Sequence, residues 1–278
     1  MNQQPQKPVF GATNPALHES HDTNWQELVQ WIVGMFVLIG VIYISSGFIV
    51  EIISKKISDQ NEKKWFSNLE QSLLHKLDVT GNLKNTPVET QEKFIRANAL
   101  LSKLLTAQTV RNLSYTLHFS NTSSPNAFAI PGGSIALTEG LLTSLKTDMG
   151  LAMVLAHELG HHQHRDALRS MGRSILITTI TSILMGGQSS LVNYALSFAE
   201  ASNSRDQESA ADAFGLKLVY ATFSETKDSF EFFENLAADQ ASGAGKFASL
   251  FSSHPYSPDR YAQLKELEKD LLRKSKHN

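Results

Sequence analysis

The sequence predicts an α+β fold that is mainly α, with a small β-sheet, preceded by one transmembrane helix. Three observations carry this. An uncharged stretch of 23 residues, Leu28 to Val50, stands near the N-terminus. Apolar residues then recur at helical spacing, as in Phe94, Ala97, Leu101, Leu104 and Leu105. Between such segments lie short strand-like runs, Ser114 to Phe119 and Ala127 to Ile130. The turn Pro131-Gly132-Gly133 and a third run, Ser134 to Leu137, follow.

Taken in order, residues 1–27 hold Pro5, Pro8, Gly11 and Pro15 among Gln, Asn and Thr, and predict a disordered tail. A helix over 28–50 reaches ~34 Å at 1.5 Å per residue, enough for a hydrocarbon core of ~30 Å. Trp25, Trp31 and Tyr43 suit the interfaces. A cleaved signal peptide is the alternative; the length of the apolar run and the polar stretch before it oppose this. Lys55, Lys56, Lys63 and Lys64 follow the span whereas Lys7 precedes it, which predicts a cytoplasmic C-terminal domain.

Residues 51–85 read as a juxtamembrane helical linker, with Trp65, Phe66, Leu69, Leu73 and Leu77 on its apolar stripe. Thr86-Pro87-Val88-Glu89 reads as a capping box with proline at the first helical position, opening a domain over 86–273. Ile175 to Met185 is apolar but shorter than the ~20 residues a span requires. With Leu191 to Ala199 it reads as a helical hairpin or membrane-facing lid, a re-entrant segment being the alternative. Phe230, Phe232, Phe233 and Leu236 mark a further helix. Ser257-Pro258 starts the last one, which runs to about Arg273 with Tyr261, Leu264, Leu267 and Leu271 inward, leaving 274–278 as a tail.

Composition narrows the function. With 278 residues, 41% of them apolar, the chain can build one catalytic-sized domain besides an anchor. Net charge is −2 and there is no basic tract, so nucleic acid is not an expected partner. Cysteine is absent, which excludes disulfides, thiolate metal sites and a cysteine nucleophile.

The chemistry lies in His157-Glu158-Leu159-Gly160-His161. On a helix, His157 and His161 stand at i and i+4 on one face and can hold one Zn²⁺, with Glu158 beside them as general base. Read alone, the motif also fits a charged helix face that carries two histidines. A second cluster reduces that alternative. Glu208 and Asp212 again stand at i and i+4, among Ala210, Ala211 and Ala213, which allow close helix packing. A catalytic zinc takes three protein ligands and keeps one position open, so Glu208 fits the third ligand. Asp212 fits an acceptor for the free ring N–H of a ligand histidine. His162 and His164 face away from the His157/His161 side by helical phase, as solvated or supporting residues.

With these motifs in place the chain resembles the zinc endopeptidases that include the HtpX heat-shock peptidase, the CAAX prenyl endopeptidase and the Oma-type and BepA-type quality-control proteases. The resemblance runs from about Thr86 to Leu272 and rests on four elements in order. These are Asn126-Ala127-Phe128-Ala129-Ile130-Pro131-Gly132-Gly133, His157 to His161, Glu208 with Asp212, and His254-Pro255 followed by Arg260. It implies a zincin-like metallopeptidase domain. It places His254 over the metal as a donor to the oxyanion of the tetrahedral intermediate, and lets Arg260 brace Glu208. It also points to Asn126, Ala127, Phe128 and Ala129 as a strand edge that pairs with an extended substrate; from spacing alone this is an ordinary hairpin.

The expectation is a single-pass, membrane-anchored metalloendopeptidase with one zinc. Its partners would be protein or peptide substrates in extended or misfolded segments. The alternative is a membrane-tethered chaperone or binding module with a structural or covered zinc.

Overall fold

The computed structural model describes residues 24–76, 79, 82–107, 109–185, 204–247 and 253–275. The chain divides into two compact units, Met1–Ile44 and Ser45–Asn278. Apart from Asn24, the described part of the first unit belongs to helix α1, Trp25–Lys56, which exposes large apolar side chains such as Trp31, Phe36 and Val37. By length and composition α1 can cross a membrane. It begins at Trp25, so the expected tail 1–27 is helical from that residue on; residues 1–23 lie outside the described ones.

In the second unit α2 spans Asp59–Lys76 and a 3₁₀ turn spans Leu83–Asn85. Phe66 and Leu73 of α2 are buried, but Trp65 is 56% exposed and leaves the expected stripe. The reason is Glu62, only 2% exposed, which shares the inner face with Phe66 one turn away and rotates Trp65 outward. The Leu69 side chain and Leu77 lie outside the described residues. The expected capping box is also corrected. Thr86 Oγ1 donates to Leu83 O (2.7 Å), closing the 3₁₀ turn, and α3 (Val88–Leu104) begins after Pro87 without a side-chain cap.

A three-stranded sheet follows, ordered β1-β3-β2, from β1 (Thr116–Ser120), β2 (Ala127–Ile130) and β3 (Ser134–Thr138). β3 is parallel to β1 and antiparallel to β2, with Ala127 opposite Leu137 and Ile130 opposite Ser134. The β2–β3 turn needs glycine: Gly132 and Gly133 have φ of 94° and 108°, where a side chain is disfavoured. A short helix α4 (Glu139–Ser144) leads to α5 (Asp148–His164).

The core sits around α5, whose residues from Gly150 to His162 are all buried. A helix enclosed on every side carries its polar residues inward as well as its apolar ones. Thr147 caps α5 by accepting from Gly150 N, and the Glu231 carboxylate accepts from Lys146 N, Thr147 N and Thr147 Oγ1 at 2.6–2.9 Å. α6 (Asp166–Met185) follows directly; the expected second arm, Leu191 to Ala199, lies outside the described residues. Further helices among the described residues are α7 (Arg205–Phe223), α8 (Glu231–Ser242) and α9 (Pro258–Ser275). α9 includes Lys274 and Ser275, which the expected C-terminal tail had claimed. Ser204 and Gln207 form a reciprocal capping box at the start of α7.

α5 and α7 pack backbone to backbone. A Cβ on Gly160 would stand 2.8 Å from Ala211 Cα, and one on Gly215 would stand 3.0 Å from His157 N. Gly160→Ala is therefore expected to force the two helices apart, costing about 1–3 kcal/mol. Thermal melting with metal analysis checks this, and an unchanged melting temperature with full metal content would contradict it.

Candidate metal centre

Because α5 is helical through the motif, His157 and His161 project from one face, and their Nε2 atoms lie 3.0 Å apart. α7 faces them with Glu208, whose Oε2 is 3.5 Å from His157 Nε2 and whose Oε1 is 3.3 Å from His161 Nε2. The segment before α9 brings His254, with Nδ1 3.2 Å from His157 Nε2 and 3.2 Å from Glu208 Oε1. All four residues are buried. Donors held ~2.0–2.1 Å from a tetrahedral ion stand about 3.3–3.4 Å apart, so the observed spacings suit a small ion with nitrogen and oxygen ligands. His254 thus stands within the candidate donor cluster, where the resemblance places it over the metal.

A second layer holds these groups. His157 Nδ1 lies 2.8 Å from Asp212 Oδ1. Arg260 donates to both Asp212 oxygens, at 2.7 and 2.8 Å, and stands 3.0 Å from Glu208 Oε2. One buried guanidinium therefore serves two buried carboxylates. Glu158 is buried beside His157; its Oε1 is 3.7 Å from His254 Nε2, and its Oε2 has no hydrogen-bond partner among the described residues.

Asp166, the first residue of α6, is absent from the sequence-based set. Its Oδ2 lies 2.8 Å from His161 Nδ1, and its Oδ1 accepts from Gln207 Nε2 at 3.2 Å. The sequence offers one signal for it, an acid five residues past His161 at the start of a helix. His162 is corrected too. It is 3% exposed, its Nε2 lies 3.1 Å from Ser134 O, and burial pushes its pKa down to about 3. It is thus a neutral ring linking α5 to the sheet. His164 is half-buried, its ring packed edge-on against Phe214.

β2 lies at the sheet edge and passes the cluster. Ala127 O is 3.4 Å from His254 Nε2. Asn126 Oδ1 accepts from Ser253 Oγ (3.2 Å), fixing the residue before His254. Asn126 and Ala127 are buried, while Phe128 and Ala129 are half-buried. An apolar recess beside Glu158 is lined by Ala127, Met153, Val154, Phe232 and Phe233.

Residues 92–268 match the model of Peptidase family M48. The chain belongs to that family. Its curated relatives include mitochondrial metalloendopeptidase OMA1 of Schizosaccharomyces pombe, 30% identical over 60% of this chain and 50% of the relative. Metalloprotease YcaL of Escherichia coli is 30% identical over 52% of this chain and 59% of the relative. A protease HtpX homolog of Burkholderia cenocepacia is 37% identical over 30% of this chain and 27% of the relative. The chain thus spans about half the length of the first of these relatives and less than two thirds of each. M48 peptidases are metal-dependent, and the buried donor cluster falls inside the matched region.

Without metal the histidine rings of the cluster bind protons more tightly than a free imidazole. Burial opposes the charged form of His157, but Asp212 and Glu208 outweigh it and raise its pKa to about 9. Burial opposes the charged form of His161 as well, and Asp166 with Glu208 raises it to about 9. A binding metal must displace the protons that these rings hold. Apparent metal affinity is expected to climb from neutrality to about pH 9 and to level off above it. Calorimetric titration in two buffers of different ionisation heat reads the released protons; none released at pH 7 would contradict this.

Proposed function

We propose that this chain is a membrane-anchored, zinc-dependent metalloendopeptidase that cleaves extended or misfolded protein segments, in the manner of a quality-control protease. One observation carries the reading: the donor atoms of His157, His161 and Glu208 converge beside a buried Glu158 carboxylate oxygen that has no hydrogen-bond partner among the described residues. His157, His161 and Glu208 would hold the metal, with Asp212 fixing the His157 ring and Arg260 neutralising the carboxylates. The anchor would occupy 28–50, the linker 51–85 and the peptidase domain 86–273. The lysines after the span favour the cytoplasmic side. A periplasmic-type reporter fused after Asn278 tests this, since strong activity would place the domain outside.

A bound zinc supplies the Lewis acidity that polarises a peptide carbonyl and acidifies water. Glu158 takes a proton from the attacking water and returns it to the amine nitrogen as the C–N bond breaks. The substrate backbone lies along β2, where the Asn126–Ala129 edge supplies main-chain hydrogen bonds, and Met153, Val154 and Phe233 give the Glu158 side of the cluster an apolar wall. His254 Nε2, 3.7 Å from Glu158 Oε1, supplies the hydrogen bond to the developing oxyanion once its loop yields to substrate.

The chaperone-like alternative keeps one support: His254 Nδ1 stands among the candidate donors, where it would compete with water for a bound metal. Hydrolysis of casein by the purified chain, abolished by a chelator, decides between the two. Glu158→Gln is expected to keep metal and fold while turnover drops ~10²–10⁴-fold. Turnover within a few-fold of the parent would remove Glu158 from the role. His254→Ala is expected to keep metal and to lower kcat ~10²–10³-fold with little change in KM. A rise in kcat would instead mark the imidazole as a plug.

A further inference from the structure

The turn beneath the donor cluster is held by residues that precede the family domain. α5 ends at Arg165, which has φ of 58°, and its amide reaches back to the carbonyls of His161 and His162. A residue with a side chain persists in that conformation only where its surroundings hold it. The next residue is Asp166, whose carboxylate meets His161 Nδ1. The Arg165 guanidinium donates to Ser54 O at 2.8 Å and to Asp59 Oδ1 at 3.1 Å, and stands 3.4 Å from Glu62 Oε2.

Arg111 works beside it. Its Nη1 donates to His162 O at 2.7 Å, and its other nitrogens pair with Asp59 and with Glu62 Oε2. Glu62 is thus a buried carboxylate shared by two guanidiniums, one that grips the His162 carbonyl of α5 and one carried by the residue that ends α5. Two turns beyond the donors, Arg169 Nε meets Glu51 Oε2 at 2.9 Å. Glu51, Ser54, Asp59 and Glu62 all stand before residue 92, where the family match begins.

We propose that Arg165 is a positioning residue for the metal site, held by the juxtamembrane residues Ser54, Asp59 and Glu62 so that Asp166 keeps the His161 ring in its donor orientation. The proposal rests on the reading of His157, His161 and Glu208 as metal donors. It makes the segment between the anchor and the family domain part of the metal site's scaffold, one carboxylate removed from a ligand ring. A segment that merely tethers the domain would leave metal affinity alone.

The test is a double-mutant cycle on the full chain in detergent, with zinc affinity read by competition against a chromogenic chelator and fold read by circular dichroism of the metal-free protein. Arg165→Ala is expected to weaken zinc binding ~10-fold, at the low end for residues that support a ligand histidine. Because Arg165 acts through Asp166, the double variant with Asp166→Asn should bind zinc no worse than Asp166→Asn alone. Combined with Asp212→Asn, which acts on the other histidine, the effects should multiply. Glu62→Gln, which keeps the side chain's shape, carries the same cycle where Arg165→Ala does not fold. A lowered melting temperature with unchanged zinc affinity would overturn the proposal, as would effects of Arg165 and Asp166 that simply multiply. Unchanged zinc affinity in His161→Ala would overturn the underlying metal reading instead.

Discussion

The crossing of α5 and α7 is the constraint on which the rest of this structure depends. At Gly160 and Gly215 no side chain separates the two helices, and main chain meets main chain. The distance between the histidines of one helix and the carboxylates of the other is then set by backbone contact. Side-chain rotamers have only a small gap to close, so Glu208 reaches both histidines and Asp212 reaches the far side of His157. The small residues near the crossing serve that approach, while the bulky apolar residues of α5 point into the surrounding core.

Burying so many ionisable groups in one place is costly unless each has a partner. The partners here form two separate sets. Arg260, from α9, satisfies Asp212 and Glu208. Asp166, from α6, satisfies the other histidine and is itself held by the capping glutamine of α7. Gln207 therefore has two tasks, closing the helix N-terminus through its side-chain oxygen and holding Asp166 through its side-chain nitrogen. The link joins the start of α6 to the start of α7 at the edge of the donor cluster.

Much of this was legible because it is local. The i, i+4 spacing of His157 with His161, and of Glu208 with Asp212, fixes a shared face whatever the rest of the chain does. The strands could be read from their residue types and the Pro-Gly-Gly turn, with boundaries shifted by a residue or two. What the sequence hid depends on distant partners. Arg111 and Glu62 are ordinary charged residues until a 49-residue separation is folded away. The same pairing turned Trp65 outward, since a periodic apolar stripe predicts a helix face but not an ion pair that overrides it. Thr86 satisfied a four-residue pattern yet capped the preceding 3₁₀ turn, because a hydroxyl can serve backbone on either side of it. His162 showed the limit of helical phase: on a helix buried all round, facing away from one site means facing something else in the core.

The order of the donors along the chain has a consequence for biosynthesis. A ribosome makes the apolar helix first, then the histidine pair, then Glu208, and after these His254 and the Arg260 that pairs with the carboxylates. A nascent chain that has just released α1 therefore holds none of the donor cluster, and one released through His161 still lacks Glu208 and His254. Its two histidines are no tighter a trap for metal than any pair on a loose helix, because the α5–α7 crossing that brings the others to them is not yet made. The fold thus defers assembly of the centre until His254 and Arg260 have been made, long after the apolar helix α1 has left the ribosome.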